Sequence, residues 1–360
     1  MKIGNMKVGI LTYHRVHNYG AILQAIALRV VLQQMGHDVK YIDYYPEYHR
    51  RLYKQFSWSL LLKWRRKYLF HRIKCWKSIH KRIACFLRDI NQHISPFCIP
   101  YKSSYEYDIV IYGSDQIWRK QNSLKNFNPV YFGDNTLQAK KHITYAASMG
   151  ILQKSVSDKA FLQKNMSNFS AISVRESGLK DYLAELGVQA TVVSDPTLLL
   201  SANQWDDILS PQPMIKTGYI LYYSLHENAF DRDAINDYAK AHHLRVVEIK
   251  GKAGKDTDTV FSQCAVWEFV SLIKYADCVF TTSYHGLIFS LIYHKEFYCA
   301  FQNNSDRAQS LLSHLQIEER LLQNRASTIP AYPPIHYQKV DALLEKQKEA
   351  SYQFIYDNIQ

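Results

Sequence analysis

No run of apolar residues in this 360-residue chain approaches the roughly 20 needed to cross a bilayer, so no membrane span is expected. The six cysteines, Cys75, Cys85, Cys98, Cys264, Cys278 and Cys299, include no C-x-x-C pair. They read as free thiols and small core residues, not as a disulfide framework or a zinc site. No G-x-G-x-x-G follows the first strand, which argues against a dinucleotide site. Residues Met1 to Lys7 lack a long apolar signal core, and residence in the cytoplasm is the expectation. From Tyr48 to Arg88 there is neither Asp nor Glu.

That stretch holds thirteen Lys or Arg, so the formal charge of +12 belongs to one segment and the rest of the chain is close to neutral. Its cations are interleaved with Phe56, Trp58, Trp64, Tyr68, Phe70 and Trp76. Such a composition suits a basic amphipathic surface lying on anionic lipid through residues 50–88, which would make the protein peripheral to a membrane's inner face. It equally suits a helical insertion whose apolar residues pack on the domain. No nucleic-acid recognition motif is present, and no nucleic acid is expected as a partner.

Apolar runs alternate with helical patterns. Lys7 to Tyr13 reads as a buried strand, Ala21 to Met35 as a helix stopped at Gly36, and Val39 to Tyr44 as the next strand. Strands at Tyr107–Tyr112, His142–Ala147, Ala171–Val174 and Thr191–Val193 follow, each ending in polar residues where open α/β sheets bind ligands. A turn-rich linker, Ser210 to Pro213, precedes a second α/β series. The fold class expected is α/β: two Rossmann-like domains facing a cleft. Residues 1–209 form the first, with a basic helical insertion at about 47–100; residues 214–330 form the second, and 335–360 a C-terminal helix.

Thr282-Ser283-Tyr284-His285-Gly286 places a histidine where a strand ends and a helix begins. Helix-start N–H groups favour an anion there, and an imidazole exchanges protons near neutral pH. The competing reading is a residue that caps the helix. Asn18, Tyr19 and Gly20 form the first strand–helix turn, and Ser114, Asp115 and Gln116 follow the Tyr107 strand. These six are candidate acceptor or cleft residues, with Asp115 alternatively capping a helix of its own. Asp256 and Asp258 sit in a loop and read as solvated charges or a weak cation site. No metal is required.

Asn18-Tyr19-Gly20-Ala21, Gly113-Ser114-Asp115-Gln116-Ile117-Trp118, Tyr145-Ala146-Ala147-Ser148-Met149-Gly150, Ser173-Val174-Arg175-Glu176, Ser194-Asp195-Pro196-Thr197, the His285 pentad and Arg307 with Leu311-Leu312 occur in this order. The set resembles the polysaccharide pyruvyl transferase family. The resemblance implies a GT-B-like fold and transfer of a pyruvyl group from phosphoenolpyruvate to a sugar of a surface polysaccharide or its precursor, forming a pyruvate ketal. The saccharide acceptor could be polyprenyl-linked. No cofactor beyond the phosphoenolpyruvate donor is implied. The chain departs from the family's pattern at Ser283, where an arginine is usual, at Ala265-Val266, where Gly-Pro is usual, and at Leu287, where a small polar residue is often found.

A doubly acidic donor needs planar cations. Arg175, at a strand end, is the first candidate; its alternative is an ion pair with Glu176 or a nearby acid. Ser283, the Gly286 backbone and Arg307 complete the donor-binding set, with Arg307 able to replace the arginine absent at 283. His285 is the candidate catalytic acid/base. Two other readings stay open: a GT-B-type glycosyltransferase using a sugar nucleotide, and a non-catalytic polysaccharide-assembly protein.

Overall fold

The computed structural model describes residues 5–52, 69–121, 126–134, 136–150, 155–225, 229–250, 259–262, 264–301, 305–322 and 325–359. The first domain runs β1 (Lys7–Leu11), α1 (Tyr19–Gln34), β2 (Asp38–Asp43), α2 (Glu47–Leu52), α3 (Leu69–His93), β3 (Cys98–Pro100), β4 (Tyr107–Tyr112) and β5 (Ala139–Thr144). It continues through α4 (Val156–Met166), β6 (Ser173–Val174), α5 (Ser177–Glu185), β7 (Thr191–Val192), α6 (Pro196–Leu199) and α7 (Ala202–Leu209). The second holds β8 (Tyr219–Ser224), α8 (Arg232–Ala241), β9 (Arg245–Lys250), β10 (Val260–Phe261), α9 (Val266–Lys274), β11 (Cys278–Thr281), α10 (Tyr284–Ile292), β12 (Glu296–Cys299) and α11 (Ser305–His314). The last helix is α12 (Tyr337–Asn358).

Both five-stranded sheets are wholly parallel, ordered β3-β2-β1-β4-β5 and β10-β9-β8-β11-β12. Each repeats the Rossmann order, with its crevice between the first and fourth strands. The bridges Ile143–Ala171 and Ala147–Val174 attach the β6–β7 pair to the first sheet. The chain is therefore α/β with two Rossmann-like sheets, a GT-B-like arrangement. The strands read as near-continuous apolar runs because both faces of a parallel sheet are covered: Val8, Ile10, Ile109, Val110, Leu221 and Val279 are all buried.

Helix α1 is buried almost all round, from Tyr19 to Leu32, as expected of a helix lying inside a core. It belongs to one hydrophobic cluster with α9 and α10 of the second domain. Tyr19 stacks on Phe269 at 4.5 Å and donates its hydroxyl to the carbonyl of Cys264 at 3.1 Å. Helix α3 braces the same junction. Arg82 donates to the carbonyls of Lys250 and Ser262, and Asp89 accepts the Val266 N–H at 2.7 Å, capping α9 from outside. Helix α12 returns to the first domain, where Ser351 accepts the Ser194 N–H and Tyr352 donates to the Leu199 carbonyl.

Two short strands, β3 and β10, were not apparent from the sequence. Much of the basic segment, residues 53–68, lies outside the described residues, as do Asp256 and Asp258. Among the described residues no helix is long and apolar enough to cross a membrane.

Candidate functional site

The site is built on the ends of parallel strands, where side chains can leave the sheet without disturbing it. After β7, Asp195 starts α6. Its Oδ1 accepts from the N–H and hydroxyl of Thr197 at 3.0 and 2.6 Å. Its other oxygen, Oδ2, faces Nη1 of Arg175 at 3.1 Å and Nε2 of His285 at 3.5 Å. One buried carboxylate thus joins a guanidinium from the end of β6 to an imidazole from the second domain. Arg175 also donates from Nη2 to the Ser114 hydroxyl at 2.5 Å. The acid that pairs with Arg175 is Asp195, not its neighbour Glu176.

His285 sits in the first turn of α10 but does not cap it. Ser283 is the cap, accepting the Gly286 N–H at 3.3 Å. The imidazole instead lies against Gly20. A Cβ at residue 20 would stand 1.9 Å from Nδ1, so glycine is what admits the ring. Gly286 is required in its turn by Thr281, whose Oγ1 a Cβ would meet at 2.4 Å.

A second layer surrounds this core. The guanidinium carbons of Arg175 and Arg307 lie 5.5 and 5.0 Å from the centre of the Tyr284 ring, within cation–π range. Arg307 Nε is 3.6 Å from Glu176, whose Oε1 accepts from the Ser148 hydroxyl at 2.5 Å. Burial would raise the Asp195 carboxyl, but Arg175 and His285 hold it well below the usual carboxylate range. Burial pushes the Glu176 carboxyl up against the pull of Arg307 and Arg175. Burial and the nearby Arg175 lower Arg307, whereas Asp195 keeps Arg175 firmly charged despite its burial.

Among the described residues, Nε of Arg175, Nε of Arg307 and Oε2 of Glu176 are buried without a hydrogen bond, and Asp195 Oδ2 meets Arg175 Nη1 and His285 Nε2 as ion pairs without hydrogen-bond geometry. Buried polar atoms are nearly always paired. The unbonded edges of Arg175, Arg307 and Glu176 are the groups with which a polar ligand would pair.

The other expected residues divide. Ser114 belongs to the cluster. Asp115 adopts a left-handed φ of 80° and its Oδ1 accepts the Gln116 N–H, so a turn follows β4, not the helix it was one option for Asp115 to cap. Gln116 accepts from Arg119 at 3.4 Å and packs on Gly150. Asn18 caps α1 at the surface, its Oδ1 accepting the Ala21 N–H. Tyr19, expected in the cleft, is instead buried as the interdomain contact described above, because its ring fits the aromatic junction. Ser283 and Gly286, expected to hold an anion, satisfy one another. Arg307 is buried beside Arg175, on the Tyr284 ring that follows Ser283.

Sequence reasoning missed Asp195, Tyr284, Glu176 and Ser148 as site residues. The available signal for Asp195 was a carboxylate at a strand end, followed by the helix-initiating Pro196.

His14, Asp43 and Cys98 bring metal-ligand atoms within 4.8 Å of one another. Arg15 already holds both oxygens of Asp43, and burial lifts the Cys98 thiol to about 11. The set is built as an ion pair and offers a metal no thiolate. A cavity of about 470 Å³ between α7, α10 and α12 contains none of the expected residues.

The family model described as polysaccharide pyruvyl transferase matches residues 18–304, a span that includes Asn18, Ser114, Arg175, Asp195 and His285. The chain belongs to the polysaccharide pyruvyl transferase family. No curated protein matches it. Among solved structures it is similar to a UDP-GlcNAc 2-epimerase from Methanocaldococcus jannaschii, at 11% identity over 94% of this chain and 92% of that one, TM-score 0.45. It is also similar to Staphylococcus aureus MnaA with UDP, at 9% over 99% and 98%, TM-score 0.46. A glycosyltransferase from Rickettsia africae gives 11% over 99% and 95%, TM-score 0.43. The fold assignment of this transferase-family chain rests on its own strand order.

Proposed function

We propose that the protein transfers a pyruvyl group from phosphoenolpyruvate to a sugar hydroxyl pair, closing a pyruvate ketal on a polysaccharide or its precursor. The observation that carries this reading is the convergence of Arg175 and His285, from different domains, on one oxygen of Asp195. Family membership supports the reaction class.

The donor brings a carboxylate and a phosphate. Arg175 and Arg307 offer two planar cations, both within reach of the Tyr284 ring. Arg175 is paired with Asp195, and Arg307 lies 3.6 Å from Glu176, whose carboxyl burial pushes up. Arg307 supplies a guanidinium on the Tyr284 ring, next in sequence to the position where the family's arginine is replaced by Ser283.

In the reaction, the donor's methylene carbon gains a proton and positive charge develops on the adjacent carbon. One sugar hydroxyl adds there and loses its proton. The second hydroxyl then displaces phosphate, breaking its C–O bond, and its proton leaves with the phosphate. His285 acts as the acid/base, a role worth about a hundred- to ten-thousandfold in rate. Asp195 orients its ring, as a carboxylate does in acid–base pairs. Neither a metal nor a cofactor is assigned a part.

Phosphate release tests the reading. The protein with phosphoenolpyruvate and a panel of free and lipid-linked saccharides is expected to release phosphate only when an acceptor is present. Release independent of acceptor, or stabilisation by nucleotide sugars with none by phosphoenolpyruvate, would favour the glycosyltransferase reading. In cells the reading implies a cytoplasmic enzyme, peripheral on the inner face of a membrane.

A further inference from the structure

A second recess, of about 410 Å³, opens at the C-terminal edge of the first sheet, between the loops after β1 and β2 and one face of α3. Its two sides differ in kind. On one side stand Arg15 and Arg50. Asp43, which also lines the recess, accepts from Nε and Nη2 of Arg15. Arg50 is largely exposed, and its carboxylate neighbour, Glu47, is 3.8 Å away. On the other side Ile83, Leu87 and Ile90 project from α3. Their spacing extends one turn back to Ile79, which is 46% exposed. Residues 79, 83, 87 and 90 share a helix face, an aliphatic strip about 16 Å long that runs from Ile90, buried at the floor, through half-buried Leu87 and Ile83 to exposed Ile79.

The chain that lines the recess leads on to the proposed catalytic site. His17 lines it, and Gly20, only three residues on, touches the His285 ring. Their Cα atoms lie no more than about 11 Å apart.

We propose that this recess binds the carrier end of a lipid-linked acceptor: a phosphate or diphosphate on Arg15 and Arg50, and the first isoprenoid units along Ile90, Leu87, Ile83 and Ile79. The sugar on the far side of the phosphate then points past His17 toward His285. A soluble sugar phosphate would use the cations and leave the strip bare, and a bilayer surface would not need the recess. The inference rests on the pyruvyl-transfer reading only for what happens to the sugar.

The test uses the full chain with farnesyl diphosphate as the probe, and inorganic diphosphate and farnesol as its two halves. Farnesyl diphosphate is expected to bind saturably and about tenfold or more tighter than either half. Ile83→Asp and Arg50→Ala are each expected to weaken it at least about fivefold, while the melting shift given by phosphoenolpyruvate is retained, showing that the variants are folded. Equal affinity for inorganic diphosphate, indifference to both substitutions, or complete displacement of the probe by phosphatidylglycerol vesicles would overturn the proposal. Wild-type protein that binds farnesyl diphosphate but not phosphoenolpyruvate would support the recess and remove the donor assignment; the converse would remove the recess alone.

Discussion

Asp195 has the most to do per atom: one oxygen initiates α6 and the other spans Arg175 and His285. Removing it as Asp195→Ala strands a buried guanidinium, a change that typically costs about 3–5 kcal/mol, and a large fall in melting temperature is expected. Asp195→Asn keeps the cap to Thr197, so it should fold and yet lose about a hundredfold or more in turnover. Wild-type turnover in Asp195→Asn would show that the carboxylate does not orient His285. Gly20 tests the seat of the ring. Its substitution by alanine must push the imidazole aside, since the new Cβ would lie 1.9 Å from Nδ1. Displacement of about 1 Å costs on the order of a hundredfold in rate, so Gly20→Ala is expected to lose turnover, and overpacking the buried ring should lower stability by about 1–3 kcal/mol as well. His285 and Arg175 were legible in the sequence because each ends or follows an apolar run at a crevice. The role of Asp195 was not, because its partners are twenty and ninety residues away and only the docking of two domains unites them.

Among the elements, α3 shows what patterning does and does not convey. A basic helical insertion was expected at about 47–100; its described residues form α2 and α3, and β3 at its end joins the first sheet. That α3 would cap another helix was not expected: the acid at Asp89 interrupts no pattern, and its partner is the Val266 N–H in the other domain. Burial raises this carboxyl to about 6, against the pull of that N–H. The folded state therefore holds the proton more tightly than the unfolded chain, where the group titrates near 3.9. Its favourable contribution is full below about pH 4 and is lost as pH rises through about 6. Denaturant melts at pH 4 and pH 7 should show wild type losing about 2 kcal/mol more than Asp89→Asn over that interval; equal losses would place the titration elsewhere. The longer strands were legible because parallel strands covered on both faces read as apolar runs. Strands β3 and β10 were not, since three and two partly exposed residues at a sheet edge leave no such run. The absence of a helix after Asp115 was likewise hidden, since the left-handed φ there is set by packing at the crevice.

At the scale of the whole molecule, two sheets of identical strand order meet through α1, α9, α10 and α3, and the proposed chemistry lies on that seam. The duplication was legible as two α/β series separated by Ser210 to Pro213. The closeness of the seam was not: Tyr19, read as a cleft residue, is buried in it. Because the donor site draws Arg175 from one domain and His285 from the other, donor binding and turnover should separate by residue. Arg175→Ala is expected to abolish the phosphoenolpyruvate-induced rise in melting temperature, whereas His285→Ala keeps part of it and loses about a hundredfold or more in phosphate release. Retention of the full shift by Arg175→Ala would assign the donor's charge to other residues.

The most direct test is calorimetric titration of phosphoenolpyruvate into wild-type protein and into Arg175→Ala. Saturable binding by the wild type, weakened at least about tenfold by the substitution, is the predicted result. Wild-type protein that gives no binding heat with phosphoenolpyruvate yet binds a nucleotide sugar, with or without Arg175, would contradict the account.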